Sequence, residues 1–360
     1  MAVRRWTSAG PINDMFPWHR RRLRRTVAST VLCVVAALVT ASPLSASGAL
    51  QGASADSALR RGADRRKPKP PPSRWIPLIG EYGASGDTVI VLERDGRLVA
   101  LKDGRAREVT ERTFVRDSAG RVVFMVGARA FPRRAVGTDE GATFRVTPLK
   151  PIEELRAAAL VASPPAEAAP RHASDLAELV AIDSSLRLDI RYAGTNNFLG
   201  APMYSSARAF LQRPAAEALV RAHRGLAAHG YGLLIHDAYR PWYVTRMFWD
   251  ATSGADHEFV ADPAMGSRHN RGAAVDLTMF ELATGKPVRM TGGYDEFSHR
   301  SYANYPGGTS LERWRRDLLR RAMESQGFTV NPSEWWHFDF NGWRDYPIQN
   351  AAFEQVARRK

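Results

Sequence analysis

Cysteine is nearly absent: the 360 residues contain one, Cys33. A single thiol rules out a disulfide framework and a cysteine-built metal site. Long apolar runs are also scarce. The one sustained run, from Val27 to about Ala41, covers roughly 15 residues, short of the roughly 20 that span a bilayer. Acidic residues are in deficit, with 37 Asp and Glu against 51 Lys and Arg, for a net charge of +14. Such an excess would point to nucleic acid if it covered a folded face, but two short stretches, residues 1–49 and 60–74, supply twelve of those charges. From Trp75 onward the 286 residues carry only +3, which excludes a basic nucleic-acid surface on the folded part.

The first stretch has the form of an export leader. A cationic block, Arg20 to Arg25, precedes the apolar run, and small residues follow at Ser47-Gly48-Ala49 and Ala53-Ser54-Ala55. We read residues 1–49 as a signal peptide with cleavage near residues 46–55, which takes Cys33 away and directs the chain to a bacterial periplasm or cell surface. Met15 is an alternative start, and the paired arginines leave the twin-arginine route open. Residues 50–74 form a basic linker ending in Lys67-Pro-Lys-Pro-Pro-Pro, expected to be extended and solvated and suited to rest on an anionic envelope surface.

From residue 75 to 147 the pattern becomes one of short β-type runs, Thr88-Val-Ile-Val-Leu, Arg97-Leu-Val-Ala-Leu and Arg121-Val-Val-Phe-Met-Val. Asp95-Gly96, Asp103-Gly104 and Ser118-Ala-Gly120 punctuate them as hairpins require, so a small antiparallel β module is expected. It holds no cluster of His, Cys or nucleophile with base, and an accessory role is the reading. Residues 148–173 are an Ala/Pro-rich connector with a short helix from Ile152 to Val161. A second domain, 174–360, mixes strands (Ser184 to Tyr192, Gly232 to His236, Trp335 to Phe340) with helices (Pro214 to His229, Leu311 to Gln326) without βαβ alternation. The class is α+β, with a central antiparallel sheet and flanking helices.

Two segments of that domain carry chemistry. In Ser267-Arg-His269-Asn-Arg-Gly272-Ala-Ala-Val-Asp276-Leu-Thr, Gly272 permits a tight turn, after which Ala274, Asp276 and Thr278 share one strand face. His269 before the turn and Asp276 after it can therefore meet at one ion, although a His and an Asp at this spacing are also common in ordinary cores. In Asn331-Pro-Ser-Glu334-Trp-Trp-His337-Phe-Asp339-Phe, Glu334 and His337 stand in an apolar stretch where isolated charge is costly. Residues three apart on a regular strand face opposite ways, so both reach one site only if Glu334 sits on the bend before the strand. Two His and one Asp leave a fourth zinc position for water, and a nearby Glu can take that water's proton. Arg240, at the end of an apolar strand, is a candidate cation for the developing oxyanion, or else an ion-pair residue.

Taken together, Ser-x-His-x-x-Gly-x-Ala-x-Asp, Glu-Trp-Trp-His, Leu188-Asp-Ile-Arg-Tyr192-Ala-Gly-Thr-Asn-Asn197-Phe and Asp237-Ala-Tyr-Arg240-Pro resemble the D-alanyl-D-alanine dipeptidases, the VanX-type zinc D,D-peptidases. The likeness spans roughly residues 175 to 345. It implies one zinc ion on His269, Asp276 and His337, Glu334 as base and Arg240 on the oxyanion. Ser267, Tyr192 and Asp295 would contact substrate, with Asp295 holding the free ammonium that only a dipeptide places so near the scissile bond; the alternative for Asp295 is a turn carboxylate. Arg268 departs from the family's usual small residue. His236 and His257 fall at no matching ligand position and read as a strand and a loop residue. The expected substrate is D-Ala-D-Ala or another peptidoglycan-derived peptide. The rivals are a D,D-carboxypeptidase or endopeptidase acting on stem peptides, and a non-catalytic wall-binding protein.

Overall fold

A computed structural model of the chain describes residues 66–135, 144–254 and 256–358. The leader and residues 50–65 of the linker lie outside the described residues, and among those described no helix is long and apolar enough to cross a membrane.

The N-terminal β region forms two sheets rather than one. Strands β1 (Gly80–Tyr82), β2 (Val89–Arg94), β3 (Arg97–Lys102) and β4 (Arg105–Val109) make an antiparallel meander. Strands β5 (Phe114–Arg116), β6 (Val122–Val126) and β7 (Arg129–Pro132) make a second. Asp95 and Gly96, at φ of 51° and 79°, give the β2–β3 hairpin the left-handed pair its twist needs, and Asp103 and Gly104 do the same for β3–β4. The meander stops at β4 because Arg-Ala-Arg-Glu-Val offers it no buried side chain. A single-turn helix, Glu111–Thr113, then redirects the chain. Tyr82, Phe114 and Phe124, with ring centroids 5.3 to 5.9 Å apart, join the two sheets around one small core. The end of the linker is not free: Ser73–Leu78 is a 3-10 turn in which Arg74 and Trp75 both donate to Glu111, at 2.7 and 2.6 Å.

The larger core belongs to the C-terminal region, and the connector helix α1 (Ile152–Val161) adds Leu155 and Ala159 to it. Strand β8 (Leu176–Glu178) leads into the short helix α2 (Leu179–Ile182) and β9 (Arg187–Leu188). After them come β10 (Phe210–Gln212), helix α3 (Arg213–Ala227), β11 (Tyr231–Asp237), helix α4 (Trp242–Ala251) and β12 (Ala274–Glu281). Helix α5 (Ser310–Glu324), β13 (Phe328–Asn331), β14 (Glu334–Phe340) and helix α6 (Phe353–Arg358) complete the chain. The central sheet has the order β13-β14-β12-β11-β9 and is antiparallel except for the β11–β9 pair, a parallel edge not foreseen from the sequence. That edge is short because the expected strand Ser184 to Tyr192 pairs only at Arg187 and Leu188; residues 191–193 turn into a 3-10 helix that buries Tyr192.

Helices α3 and α5 pack on each other and against β11 and β13. Each hides an apolar stripe, and α5 starts at a capping box in which Thr309 and Glu312 satisfy each other's backbone N–H. On β12, Val275, Leu277 and Met279 enter the core, and the alternate residues Ala274, Asp276 and Thr278 face the other side. Two irregularities load that face with polar groups. A register shift between Ile235 and Asp237 sets Asp237 opposite Asp276. A second, between Val330 and Asn331, sets Asn331 opposite Glu334.

Candidate active site

His269 lies in a single 3-10 turn, His269–Arg271, closed by Gly272 at φ 64°. A side chain at 272 would be strained at that φ, and its Cβ would collide with Leu176, so the tight return to β12 depends on glycine. The return brings His269 back over Asp276, while the β12–β14 register pairs Asp276 with His337. His269 Nε2 is 3.1 Å from His337 Nδ1, His337 Nδ1 is 3.0 Å from Asp276 Oδ1, and His269 Nε2 is 3.4 Å from that oxygen. The edges of a tetrahedron drawn around zinc with bonds of about 2.0–2.1 Å are about 3.3–3.4 Å. Among the described residues these three form the one His/Cys/Asp/Glu group arranged to hold a metal ion.

The ring orientations fit that use. His269 Nδ1 lies 2.6 Å from the carbonyl of Ala238 and His337 Nε2 2.9 Å from Asp339 Oδ1. Each acceptor holds a proton on the outer nitrogen and turns the inner one towards Asp276. Two ring nitrogens and a carboxylate then converge in a buried place, as a metal ion requires. Burial alone would raise the Asp276 carboxyl, but the charges and hydrogen bonds of His269 and His337 hold it well below the usual carboxylate range. Burial likewise opposes charge on His337, yet the hydrogen bonds of Asp276 and Asp339 lift it to about 10.

Glu334 is the first residue of β14, at the register shift, and so meets the geometric demand read from the sequence. Its Oε2 is 3.6 Å from His337 Nδ1 and accepts 2.8 Å from Asn331 Nδ2. Burial raises its carboxyl above the ordinary range, the direction a general base near neutrality requires.

Arg240 is buried rather than at the surface. Its Nε and Nη2 reach Asp237 Oδ2 at 2.9 and 2.8 Å, and Nη2 stands 3.9 Å from Asp276 Oδ2. The guanidinium rests against the rings of Phe248 and Tyr192, 4.9 and 5.3 Å from their centroids. Asp237 in turn accepts from Tyr204 OH and Ala238 N–H, which fixes the cation beside the metal-binding group.

Asp295 is buried, with a left-handed φ of 55°, and accepts 2.9 Å from the Tyr192 hydroxyl. Burial first, then the charge of Asp276, push its carboxyl up to about 8. A buried carboxylate with a raised pKa close to the His269–Asp276–His337 group is a functional-site candidate. Its neighbour Tyr294 donates 3.1 Å to Asp276 Oδ2, tying the two carboxylates to one wall. Ser267 is used locally: its Oγ accepts from His269 N–H at 3.2 Å and its own N–H donates to Asn270. Arg268 faces Asp339 at 3.4 Å and lies 4.9 Å over the Trp343 ring. His236 is a buried strand residue stacked on Tyr294, and His257 stacks on Trp249.

Residues 172–356 match Peptidase_M15, described as D-ala-D-ala dipeptidase. The chain belongs to that family. It is 35% identical over 180 residues to the D-alanyl-D-alanine dipeptidase of Escherichia coli K12, covering 50% of this chain and 92% of that protein. The enzyme of the same name from Enterococcus faecium is 32% identical over 187 residues, covering 47% of this chain and 91% of its own length. That of Enterococcus faecalis is 33% identical over 171 residues, covering 42% and 85%. As a member of this family the chain is a peptidase, and the matched span contains every candidate site residue while leaving out the two N-terminal sheets.

Four residues of the site were not singled out in the sequence. Asp339 had the clearest signal, two positions after His337 on a strand and therefore on the same face. Asp237 was visible only as part of a motif. Tyr294 and Asn331 gave no signal, because their partners come from other strands or across a turn.

Proposed function

We propose that this protein is a zinc peptidase that hydrolyses D-Ala-D-Ala or a closely related D,D-dipeptide outside the cytoplasm. One observation carries the reading: Asp295 is buried on the same wall as His269, Asp276 and His337, through the Tyr294–Asp276 bond. A carboxylate there suits the free ammonium of a dipeptide, which lies one residue from the scissile carbonyl; a long stem peptide has no such group.

His269 Nε2, His337 Nδ1 and Asp276 Oδ1 would hold the zinc. When bound, zinc supplies Lewis acidity, polarising the carbonyl and bringing the acidity of water towards about pH 7. Glu334 takes the proton of the attacking water as the oxygen bonds to the carbonyl carbon, and passes it to the leaving nitrogen as the C–N bond breaks. Arg240, held by Asp237, offers fixed N–H groups to the carbonyl oxygen as it gains charge. Tyr192 orients Asp295 on the substrate amine. Export agrees with the leader-like composition of residues 1–49, and with a substrate class that belongs to the wall.

The test compares free D-Ala-D-Ala with its N-acetyl form and with a pentapeptide stem, using the Glu334→Ala variant as control. Turnover of the free dipeptide, lost in the variant while zinc stays bound, is the expected result. Preference for the stem would transfer the reading to a D,D-carboxypeptidase, and near-full activity of Glu334→Ala would overturn the mechanism.

A further inference from the structure

The two N-terminal β sheets and residue 144 lie outside the family match, yet they touch one part of the C-terminal region repeatedly: the segment from Thr291 to Arg313 that carries Asp295. Within that segment Glu296 is an internal anchor. It accepts from Gly293 N–H at 2.8 Å and Ser298 Oγ at 2.7 Å, and Arg300 lies 3.4 Å from it. Besides its partners within the C-terminal region, such as Tyr192, Asp276 and Pro332, the segment is held by residues of the N-terminal sheets. The Tyr305 hydroxyl donates 3.0 Å to Glu81, a buried carboxylate at the end of the first sheet. Glu93 on β2, also buried, accepts from Ser310 N–H at 2.7 Å, and its own N–H donates 3.1 Å to the Gly308 carbonyl. Arg313 closes the join by donating to the carbonyls of Gly308 and Glu93 at 2.9 and 2.7 Å.

The stretch just before the connector holds the same segment from another direction. Phe144 stacks on Phe297, two residues beyond Asp295, with centroids 4.3 Å apart and planes 21° from parallel. Phe198 and Phe259 pack on Phe297 as well, at 5.6 and 4.7 Å. The Asp295 loop thus bears on side chains from β1, β2 and residue 144, none of which belongs to the part shared with relatives.

We propose that the two N-terminal β sheets and the stretch carrying Phe144 act as a brace for substrate recognition, with Tyr305, Glu81, Glu93 and Phe144 as positioning residues that keep Asp295 in its buried place at positive φ. Rigidity is the reason a brace has value there. A carboxylate at φ 55°, in surroundings that disfavour its charge, leaves that position unless its neighbours over-determine it. Holding it in advance spares the substrate the cost of ordering the loop. This inference rests on the role given to Asp295 under the proposed function.

Tyr305→Phe, Phe144→Ala and the double variant test it in the full chain, with Arg97→Ala, on the exposed edge of β3, as control. Two readouts are taken: amide hydrogen exchange over residues 291–305, and KM against kcat for D-Ala-D-Ala. The expected result is faster exchange across 291–305 and a KM raised about 3- to 10-fold in the double variant, with kcat little changed and circular dichroism intact. Arg97→Ala should move neither. Unchanged exchange in a folded double variant overturns the brace, and so does faster exchange with an unmoved KM. If the parent chain does not hydrolyse the dipeptide, the functional reading fails by itself, and the exchange result alone then decides the brace.

Discussion

Asp339 Oδ1 lies 2.9 Å from His337 Nε2, so a carboxylate outside the metal-binding group decides which nitrogen of His337 faces inward. Asp339→Ala removes that constraint and also takes a partner from Arg268, which is half exposed. Zinc affinity should fall about 10- to 100-fold with little change in fold. Chelator competition at fixed pH measures it.

Arg240 and Asp237 form a buried pair, and removing one member leaves the other charged and dry. Arg240→Ala should cut kcat by about 100-fold or more and destabilise the protein by about 3–5 kcal/mol. Adding Asp237→Asn should restore part of the stability and none of the activity. Urea unfolding and steady-state kinetics on the two variants separate structure from chemistry.

In the metal-free protein His337 keeps its proton to about pH 10. Zinc needs the bare nitrogen, so binding near pH 7 to 8 should release close to one proton from this residue. Calorimetric titration in buffers of different ionisation enthalpy gives the number. His337→Ala should abolish the release together with tight binding.

Asp295 titrates at about 8 in the folded protein, against an ordinary value of 3.8. Between those limits the folded protein keeps a proton that the unfolded chain has lost, so the stabilising contribution is complete below about pH 4 and falls away as the pH rises through 8. Asp295→Asn has no such loss. Its advantage over the parent should grow across that window and exceed about 1.4 kcal/mol by pH 9, the free energy of a tenfold change in proton affinity. Melting of the chelated proteins at pH 5 and pH 9 tests it, and the variant should also bind the dipeptide more weakly.

The grouping of His269, Asp276 and His337 was legible from the sequence through the family resemblance together with a local glycine turn between His269 and Asp276; the spacing alone fits an ordinary core as well. Glu334 was legible too, since period two forbids a regular strand from serving both it and His337. Helices α3 and α5 followed from apolar spacing and their stops, and α1 from the composition of the connector. Less visible were features that depend on distant partners. The strand expected from Ser184 to Tyr192 breaks off because Tyr192 is drawn down to Asp295, 103 positions away. The split of the β region into two sheets turns on the polar strand β4, which hairpin signals alone do not reveal. Arg240 read equally well as a surface ion pair until Phe248 and Tyr192 were seen to cover it.

Ala303 N–H donates 3.1 Å to the carbonyl of Pro332, in the bend just before Glu334. The middle of the Asp295 segment and the bend before Glu334 are therefore stitched to each other by backbone, without a side chain that mutation could remove. On the proposed roles, this stitch would hold Asp295 and Glu334 at a set span, and lengthening the accepted substrate by one residue would call for rebuilding the stitch rather than widening a pocket.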